Sequence, residues 1–179
     1  MVEYLTKDSL RGRVRVNEQV IIRKAQERSP AGSTFLSHSS KDGELLPGVI
    51  SLLEDHGAVV YIDKKDEALP PYTTRETAEI LRDRIRLSRK FILLTSKNSK
   101  DSRWMPWELG IADGYKNPGN TAILPTLDQA NDRSWSEQEY LGIYDRIVYG
   151  KFVNQPTSVY MVWNHKKQTG TELSAWLKK

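Results

Sequence analysis

Short apolar runs alternate with longer amphipathic stretches through the middle of the chain. The runs at 34–37 (TFLS) and 91–95 (FILLT) are almost uniformly apolar, which is typical of strands buried on both faces of a parallel sheet. Between such runs, apolar residues recur at spacings of three and four, the pattern of a helix with one buried face. This order predicts an α/β fold in which helices flank a five-stranded parallel sheet. The predicted strands are residues 34–37, 58–63, 91–95, 121–125 and 146–149.

The first predicted helix has recognisable ends. Asp42 precedes it, and its carboxylate can accept hydrogen bonds from the N–H groups of the first turn. Gly57 follows it, and glycine is the residue that most often ends a helix in the left-handed conformation. Further helices are predicted over residues 75–89, 102–116 and 134–144.

The two ends of the chain differ from this central region of residues 34–150. Residues 1–33 are mostly polar and end in the helix-breaking sequence SPAGS. They predict an extension that is mainly helical, with an apolar face made of Val16, Val20, Ile21 and Ala25. Residues 151–179 predict a helical tail that packs on the domain. Its apolar residues are Val159, Tyr160, Trp163, Leu173, Trp176 and Leu177.

Composition narrows the function classes. The 179 residues suffice for one domain with extensions. No cysteine is present, which excludes disulfides, cysteine-ligated metals and cysteine nucleophiles. The net charge of +4 comes from basic residues interleaved with acidic ones, so we expect no nucleic-acid partner. The longest apolar run is too short for a membrane span, and the first residues lack the apolar region of a secretory signal. We therefore expect a cytoplasmic protein with no membrane partner.

The predicted strand ends lack several common site motifs. The loop after the first strand reads SHSSKDGE, without the glycines of a dinucleotide-binding fingerprint, and the chain contains no P-loop pattern. Acidic residues are missing from the ends of the first and third strands, where a phosphoryl-accepting domain needs them. The three histidines have no metal-like spacing, so we expect no metal site.

The segment DSRWMPWELGIADG at 101–114 is the most informative one. Trp104 and Glu108 are four residues apart and share one face of a helix. Pro106 is tolerated only in a first turn, so that turn lies at the mouth of the fold. A carboxylate beside two tryptophans at this edge suggests a site. The alternative is that Trp104 and Trp107 are core residues and that Glu108 is an acid favoured by the helix dipole.

Several motifs in order resemble a Toll/interleukin-1 receptor (TIR) domain over residues 33–150. TFLSHS at 34–39 resembles the family's opening strand, YID at 61–63 the end of its second strand, and residues 64–73 its variable BB loop. WMPWELG at 104–110 resembles the W-x-x-x-E signature of bacterial TIR enzymes. The small architecture also resembles bacterial anti-phage TIR proteins of the Thoeris type. Two departures are Ser39 and Ser40, where many enzyme members have basic residues, and Pro70–Pro71 in the BB loop.

The resemblance implies a flavodoxin-like fold and an enzyme that cleaves NAD⁺ at its nicotinamide–ribose bond. NAD⁺ is then a substrate, and no cofactor is expected. Glu108 stands where these enzymes carry their catalytic glutamate. Substrate contacts are assigned to the residues at the strand ends and in the BB loop. They are Ser37, His38, Ser39, Ser40, Asp63, Glu67 and Trp104.

Several alternatives remain open from the sequence. The product is either linear ADP-ribose or a cyclic ADP-ribose. A non-catalytic scaffold, acting by self-association through residues 64–73 and the basic helix 82–90, is the second hypothesis. For the enzyme, we expect homo-oligomers built by TIR–TIR contacts, a phage-derived trigger, and a downstream effector that reads the nucleotide signal.

Overall fold

Strands and helices alternate along the chain in a computed structural model that describes residues 2–14, 16–63, 74–129, 139–153 and 155–179. The first four strands are β1 Val2–Glu3, β2 Leu5–Thr6, β3 Thr34–Ser37 and β4 Val60–Tyr61. The others are β5 Lys90–Thr95, β6 Thr121–Leu127, β7 Asp145–Gly150, β8 Val159–Asn164 and β9 Thr169–Glu172. The helices are α1 Lys7–Arg11, α2 Glu18–Glu27, α3 Leu46–Asp55, α4 Arg75–Leu87, α5 Trp104–Tyr115 and α6 Leu173–Lys178. Within the described residues, no helix is both long and apolar enough to cross a membrane.

Five parallel strands form the centre of the sheet in the order β4-β3-β5-β6-β7. Numbered along the central domain this order is 2-1-3-4-5, the flavodoxin-like order, so the predicted parallel sheet is confirmed. The strand centres agree with the predictions, while β4 is shorter than predicted and β6 is longer. Ligands in such sheets bind at the carboxyl ends of the strands. The segments that follow β3, β5 and β6 therefore share one edge.

The two faces of the sheet carry separate apolar cores. Phe35 and Phe91, on neighbouring strands, stack with ring centroids 5.6 Å apart beneath α4 and α5. The next residues, Leu36 and Ile92, point to the opposite face and join α2, α3 and α6. This alternation follows from the two-residue period of a strand. It explains why the runs are apolar throughout, because both faces are buried.

The carboxyl-terminal segment extends the sheet instead of forming only a helical tail. β8 pairs antiparallel with β7, and β9 pairs antiparallel with β8. Gln168 takes a left-handed conformation (φ 54°) in the tight turn between them. The helical prediction holds only for α6. The helical prediction fails for β8 and β9 because β7 offers an unpaired edge, with which a hairpin can pair.

The amino-terminal segment was predicted to be helical, and this is wrong for its first residues. β1 pairs antiparallel with β7, while β2 pairs in parallel with the last residues of β6. Since β6 and β7 pair directly only near their amino ends, the segment fills the gap that opens between their carboxyl ends. Two-residue strands carry no recognisable period in a sequence.

The helix α2 exists, but its predicted buried face is only partly correct. Ala25 is buried and Ile21 packs against the core, as predicted. Val16 precedes the helix and is 72% exposed, and Val20 is also exposed. Ile22 packs against the core in their place. The helix therefore contacts the domain through a face rotated from the predicted one.

Asp42 does not cap a helix. A 3₁₀ turn, Ser40–Leu45, precedes α3, and Leu45 occupies the cap position without a side-chain hydrogen bond. The Asp42 carboxylate instead accepts hydrogen bonds from Ser96 Oγ (2.7 Å) and Asn98 Nδ2 (2.6 Å). It thereby joins the loops that follow β3 and β5. The prediction for Gly57 is confirmed, since it follows α3 with φ 92°.

Candidate active site

Glu108 lies in the second turn of α5 and is only 1% exposed. The helix begins where Ser102 Oγ accepts a hydrogen bond from the Met105 N–H (3.3 Å). Pro106 falls in the first turn, as predicted, where its missing N–H costs no helical bond. Leu109 packs on the sheet beside Glu108. The sequence therefore places a carboxylate where apolar packing fixes its backbone.

Ser37 is the last residue of β3, and its Oγ donates a hydrogen bond to Glu108 Oε2. Both side chains are buried. This contact fixes the orientation of the carboxylate at the carboxyl edge of the sheet. A fixed negative charge in a site with little water acts strongly on positive charge that develops nearby. Among the predicted substrate residues, Ser37 contacts Glu108 directly.

A pocket of about 300 Å³ is lined by the segment after β3 and by the segment that leads into α5, the neighbours in sequence of Ser37 and Glu108. Three of the predicted residues, Ser39, Ser40 and Trp104, line it. Trp104 is half-buried and meets Trp107 edge to face, with ring centroids 5.2 Å apart. One face of the site is therefore an aromatic wall set one helical turn before Glu108. The pocket can accommodate a planar or sugar ring against Trp104.

His38 and Ser39 follow Ser37 and are both buried. His38 Nδ1 lies 3.4 Å from the carbonyl oxygen of Leu36. Ser39 Oγ accepts the Lys41 N–H (3.3 Å), which begins the 3₁₀ turn. Ser40 is exposed at the pocket. The loop after β3 thus supplies two buried polar side chains and one exposed hydroxyl.

Asp63 lies apart from this group. It follows the edge strand β4, and its Oδ1 accepts hydrogen bonds from an Arg84 guanidinium on α4 and from Tyr61 Oη (3.1 Å). Burial, reinforced by the nearby Asp63 charge, raises the pKa of Tyr61 to about 12. The structure therefore pairs Asp63 with α4, and among the described residues it does not bring Asp63 to the pocket. Glu67, Pro70 and Pro71 lie outside the described residues, as does much of the predicted helix 134–144.

Charged residues around the site were missed by the sequence analysis. Lys41 Nζ contacts Asp101 Oδ2 (2.7 Å) across the pocket, and this contact lowers the pKa of Asp101. Asp128, just after β6, accepts hydrogen bonds from Lys7 (2.7 Å) and Lys97 (2.5 Å). Both bonds lower the pKa of Asp128, and the bond from Lys7 has the larger effect. Their positions in the sequence could have indicated them, since Asp101 and Asp128 both lie beside predicted strand or helix ends.

Comparison with known proteins identifies the fold family. The TIR domain family matches residues 34–158, most of the chain. The protein belongs to the TIR domain family. A relative from Bacillus cereus (strain MSX-D12), named "Probable 3' cyclic ADP-D-ribose synthase ThsB'", is 39% identical over 136 residues. The match covers 75% of this chain and 68% of that relative. The family match ends inside the extended sheet, close to the start of β8.

Proposed function

We propose that this TIR protein cleaves the nicotinamide–ribose bond of NAD⁺ and closes the remaining ADP-ribose into a cyclic product. The observation that carries the proposal is the buried Glu108 carboxylate, which accepts a hydrogen bond from Ser37 Oγ at the carboxyl edge of the sheet. The name of the Bacillus cereus relative, a probable 3′ cyclic ADP-D-ribose synthase, supports the cyclic product and its 3′ linkage.

The reaction requires little acid–base chemistry at the leaving group. The electron pair of the C–N bond departs with nicotinamide, which leaves as a neutral molecule. Positive charge develops on the ribose carbon in an oxocarbenium-like transition state, as in glycoside hydrolysis. Glu108 stabilises this charge and holds the ribose hydroxyls, while Ser37 keeps the carboxylate oriented. Glu108 is therefore the catalytic residue, and Ser37 is a positioning residue.

The remaining predicted residues have binding roles in this proposal. Trp104 forms the aromatic wall of the pocket, and Ser39 and Ser40 offer hydroxyl donors to the substrate. His38 is buried in the same loop, directly before Ser39. Glu67, in the BB loop, is assigned to closing the substrate site. Asp63 has no substrate contact in this proposal, because its carboxylate accepts hydrogen bonds from Arg84 and Tyr61.

The group that attacks the oxocarbenium-like ribose carbon determines the product. An internal nucleophile of the adenosine half forms the new bond to the ribose carbon and releases its proton to water, giving the cyclic product. Water attacking the same carbon gives linear ADP-ribose. A site that excludes water favours the cyclic product. A mass spectrum of the products distinguishes the two, because the cyclic product is lighter than ADP-ribose by one water molecule.

The biological setting is part of the same proposal. A phage-derived trigger raises the activity of the enzyme above its basal rate in the cytoplasm, and the cyclic nucleotide carries the signal to an effector in anti-phage defence. Homo-oligomers form through TIR–TIR contacts and bring the enzyme to full activity. The rate of nicotinamide release from NAD⁺, measured against protein concentration, tests the oligomer. The oligomer predicts a rate that rises more steeply than in proportion to the concentration. Strictly proportional release contradicts it.

A further inference from the structure

The pocket beside Trp104 has two polar walls. One wall is the segment after β3, with Ser39, Ser40 and Lys41. The other is the segment that leads into α5, including Asp101 and Arg103. The same two parts of the chain supply Ser37 and Glu108, so the lining residues are close neighbours in sequence of the catalytic pair.

The charges on these walls do not cancel. Lys41 and Asp101 form a close ion pair (2.7 Å), and the hydrogen bond from Lys41 keeps the pKa of Asp101 below its usual value. That pair is neutral as a unit. Arg103 is exposed at the pocket and forms no ion pair within the part of the chain that the structure describes. Among the described residues that line the pocket, the charges therefore sum to one positive charge, and Arg103 carries it.

We propose that this pocket binds the diphosphate of a nucleotide and that Arg103 is its principal phosphate ligand. The planar guanidinium presents donors in a fork that matches phosphate oxygens. Ser40 is exposed beside it, and Ser39 Oγ accepts the Lys41 N–H, which leaves its own hydrogen to donate. Trp104 provides the apolar surface that a ribose or base needs. That the bound nucleotide is the NAD⁺ substrate rests on the proposed function.

The position of the pocket gives Arg103 a part in orienting the substrate. Arg103 directly precedes α5, and Glu108 lies just over one helical turn further along. A diphosphate held at Arg103 places the attached ribose against Trp104, which lines the same pocket and precedes Glu108 by one helical turn. Arg103 thus contributes binding energy away from the bond that breaks, and this energy serves to position the ribose.

Isothermal titration with ADP tests this inference without relying on catalysis, because ADP lacks the nicotinamide bond. The proteins are the wild type, Arg103→Ala, Arg103→Lys and Arg82→Ala. Arg82 is an exposed arginine on α4 that does not line the pocket. We expect Arg103→Ala to weaken ADP binding about 10- to 100-fold, the range for losing a charge-assisted hydrogen bond. Arg103→Lys retains the charge and loses less, Arg82→Ala binds like the wild type, and adenosine binding is unchanged in all variants.

The outcomes separate this inference from the proposed function. Equal ADP affinity in Arg103→Ala and Arg82→Ala overturns the role of Arg103, even if the wild type releases nicotinamide from NAD⁺. ADP binding that depends on Arg103, in a protein that never releases nicotinamide, supports the diphosphate site and overturns the proposed activity. Absence of ADP binding to the wild type overturns the site. Thermal melting of each variant checks that the exposed substitutions leave the fold intact.

Discussion

Ser37 Oγ donates a hydrogen bond to Glu108 Oε2, joining two residues that are 71 positions apart in the sequence. The contact connects the end of the first central strand to the second turn of α5. Both side chains are buried, so the neutral hydroxyl of Ser37 helps to set the orientation of the carboxylate from the neighbouring element. This dependence makes Ser37 the first residue to test after Glu108.

Ser37→Ala is expected to reduce the rate of nicotinamide release from NAD⁺ roughly 10- to 100-fold. A hydrogen bond to a charged group is worth about 1.5–3 kcal/mol, and each 1.4 kcal/mol corresponds to a factor of ten. The effect should appear in kcat more than in KM, because Ser37 positions the carboxylate. Ser174→Ala is the matched control, since Ser174 Oγ donates to Glu172 (2.8 Å) at the exposed surface. Unchanged kcat in Ser37→Ala contradicts the positioning role.

Asp42→Ala is expected to lower the free energy of unfolding by about 2–3 kcal/mol. The buried carboxylate accepts from Ser96 and Asn98, and its removal leaves both donors unsatisfied. Urea denaturation measures the loss. Asp8→Ala removes a carboxylate that is 84% exposed and should change stability by less than about 0.5 kcal/mol. A similar small change in Asp42→Ala would show that the two loops do not depend on this carboxylate.

Gly48→Ala is expected to destabilise the protein by about 1–3 kcal/mol, although alanine normally favours a helix. A Cβ on Gly48 would lie 2.0 Å from the backbone oxygen of Leu10, because α1 crosses α3 at this glycine. Gly110→Ala, in α5, meets nothing within 4 Å and should raise stability by up to about 1 kcal/mol. Denaturant unfolding of both variants measures the difference. A stabilised Gly48→Ala variant contradicts the docking of the amino-terminal segment on α3.

The stability of the protein should rise with pH from about 8 towards 10 and fall above 10. Burial lowers the pKa of Lys90 and Lys116 to about 8, so the unfolded chain binds more protons than the folded one between about 8 and 10.5. Burial raises the pKa of Tyr61 and Tyr144 to about 12, so the folded protein holds the additional protons above pH 10. Urea midpoints across this range measure the curve.

The lysine part of this curve has its own control. Lys90 Nζ donates to Asn120 Oδ1 (2.6 Å) and lies 4.4 Å from the centre of the Trp176 ring, whereas Lys116 Nζ donates to two backbone carbonyls near the end of α4. Replacing both lysines with methionine should abolish the rise between pH 8 and 10 and leave the fall above pH 10. A rise that persists in the double variant would assign it to other groups.

The central sheet was predictable because each strand is buried on both faces, which makes its sequence almost uniformly apolar. The position of Glu108 was predictable because Pro106 confines the start of α5 and the four-residue spacing from Trp104 places both side chains near the same edge. Its catalytic role was implied by the TIR resemblance and stays a prediction. These signals are local, and the fold preserves them. The strand order then brings Ser37 to the same edge.

The remaining features depend on contacts between distant residues. The strand β2 has only two residues and gains its structure by pairing with β6, so its own sequence carries no period. Asp42 is a residue type that favours helix caps, but Ser96 and Asn98 lie close enough to donate hydrogen bonds to its carboxylate instead. Arg103 resembled any surface arginine until the fold placed it at a pocket. Such tertiary competition is invisible to local patterns.

The most direct test of the central claim is nicotinamide release from NAD⁺ by the wild type, Glu108→Gln and Glu76→Gln, each over a wide range of protein concentration. Glu76 is an exposed glutamate in the first turn of α4 and serves as the matched control. We predict that the wild type and Glu76→Gln release nicotinamide equally, that their product has the mass of a cyclic ADP-ribose, and that Glu108→Gln with its fold retained releases none above background. Nicotinamide release by Glu108→Gln at the wild-type rate would contradict the account.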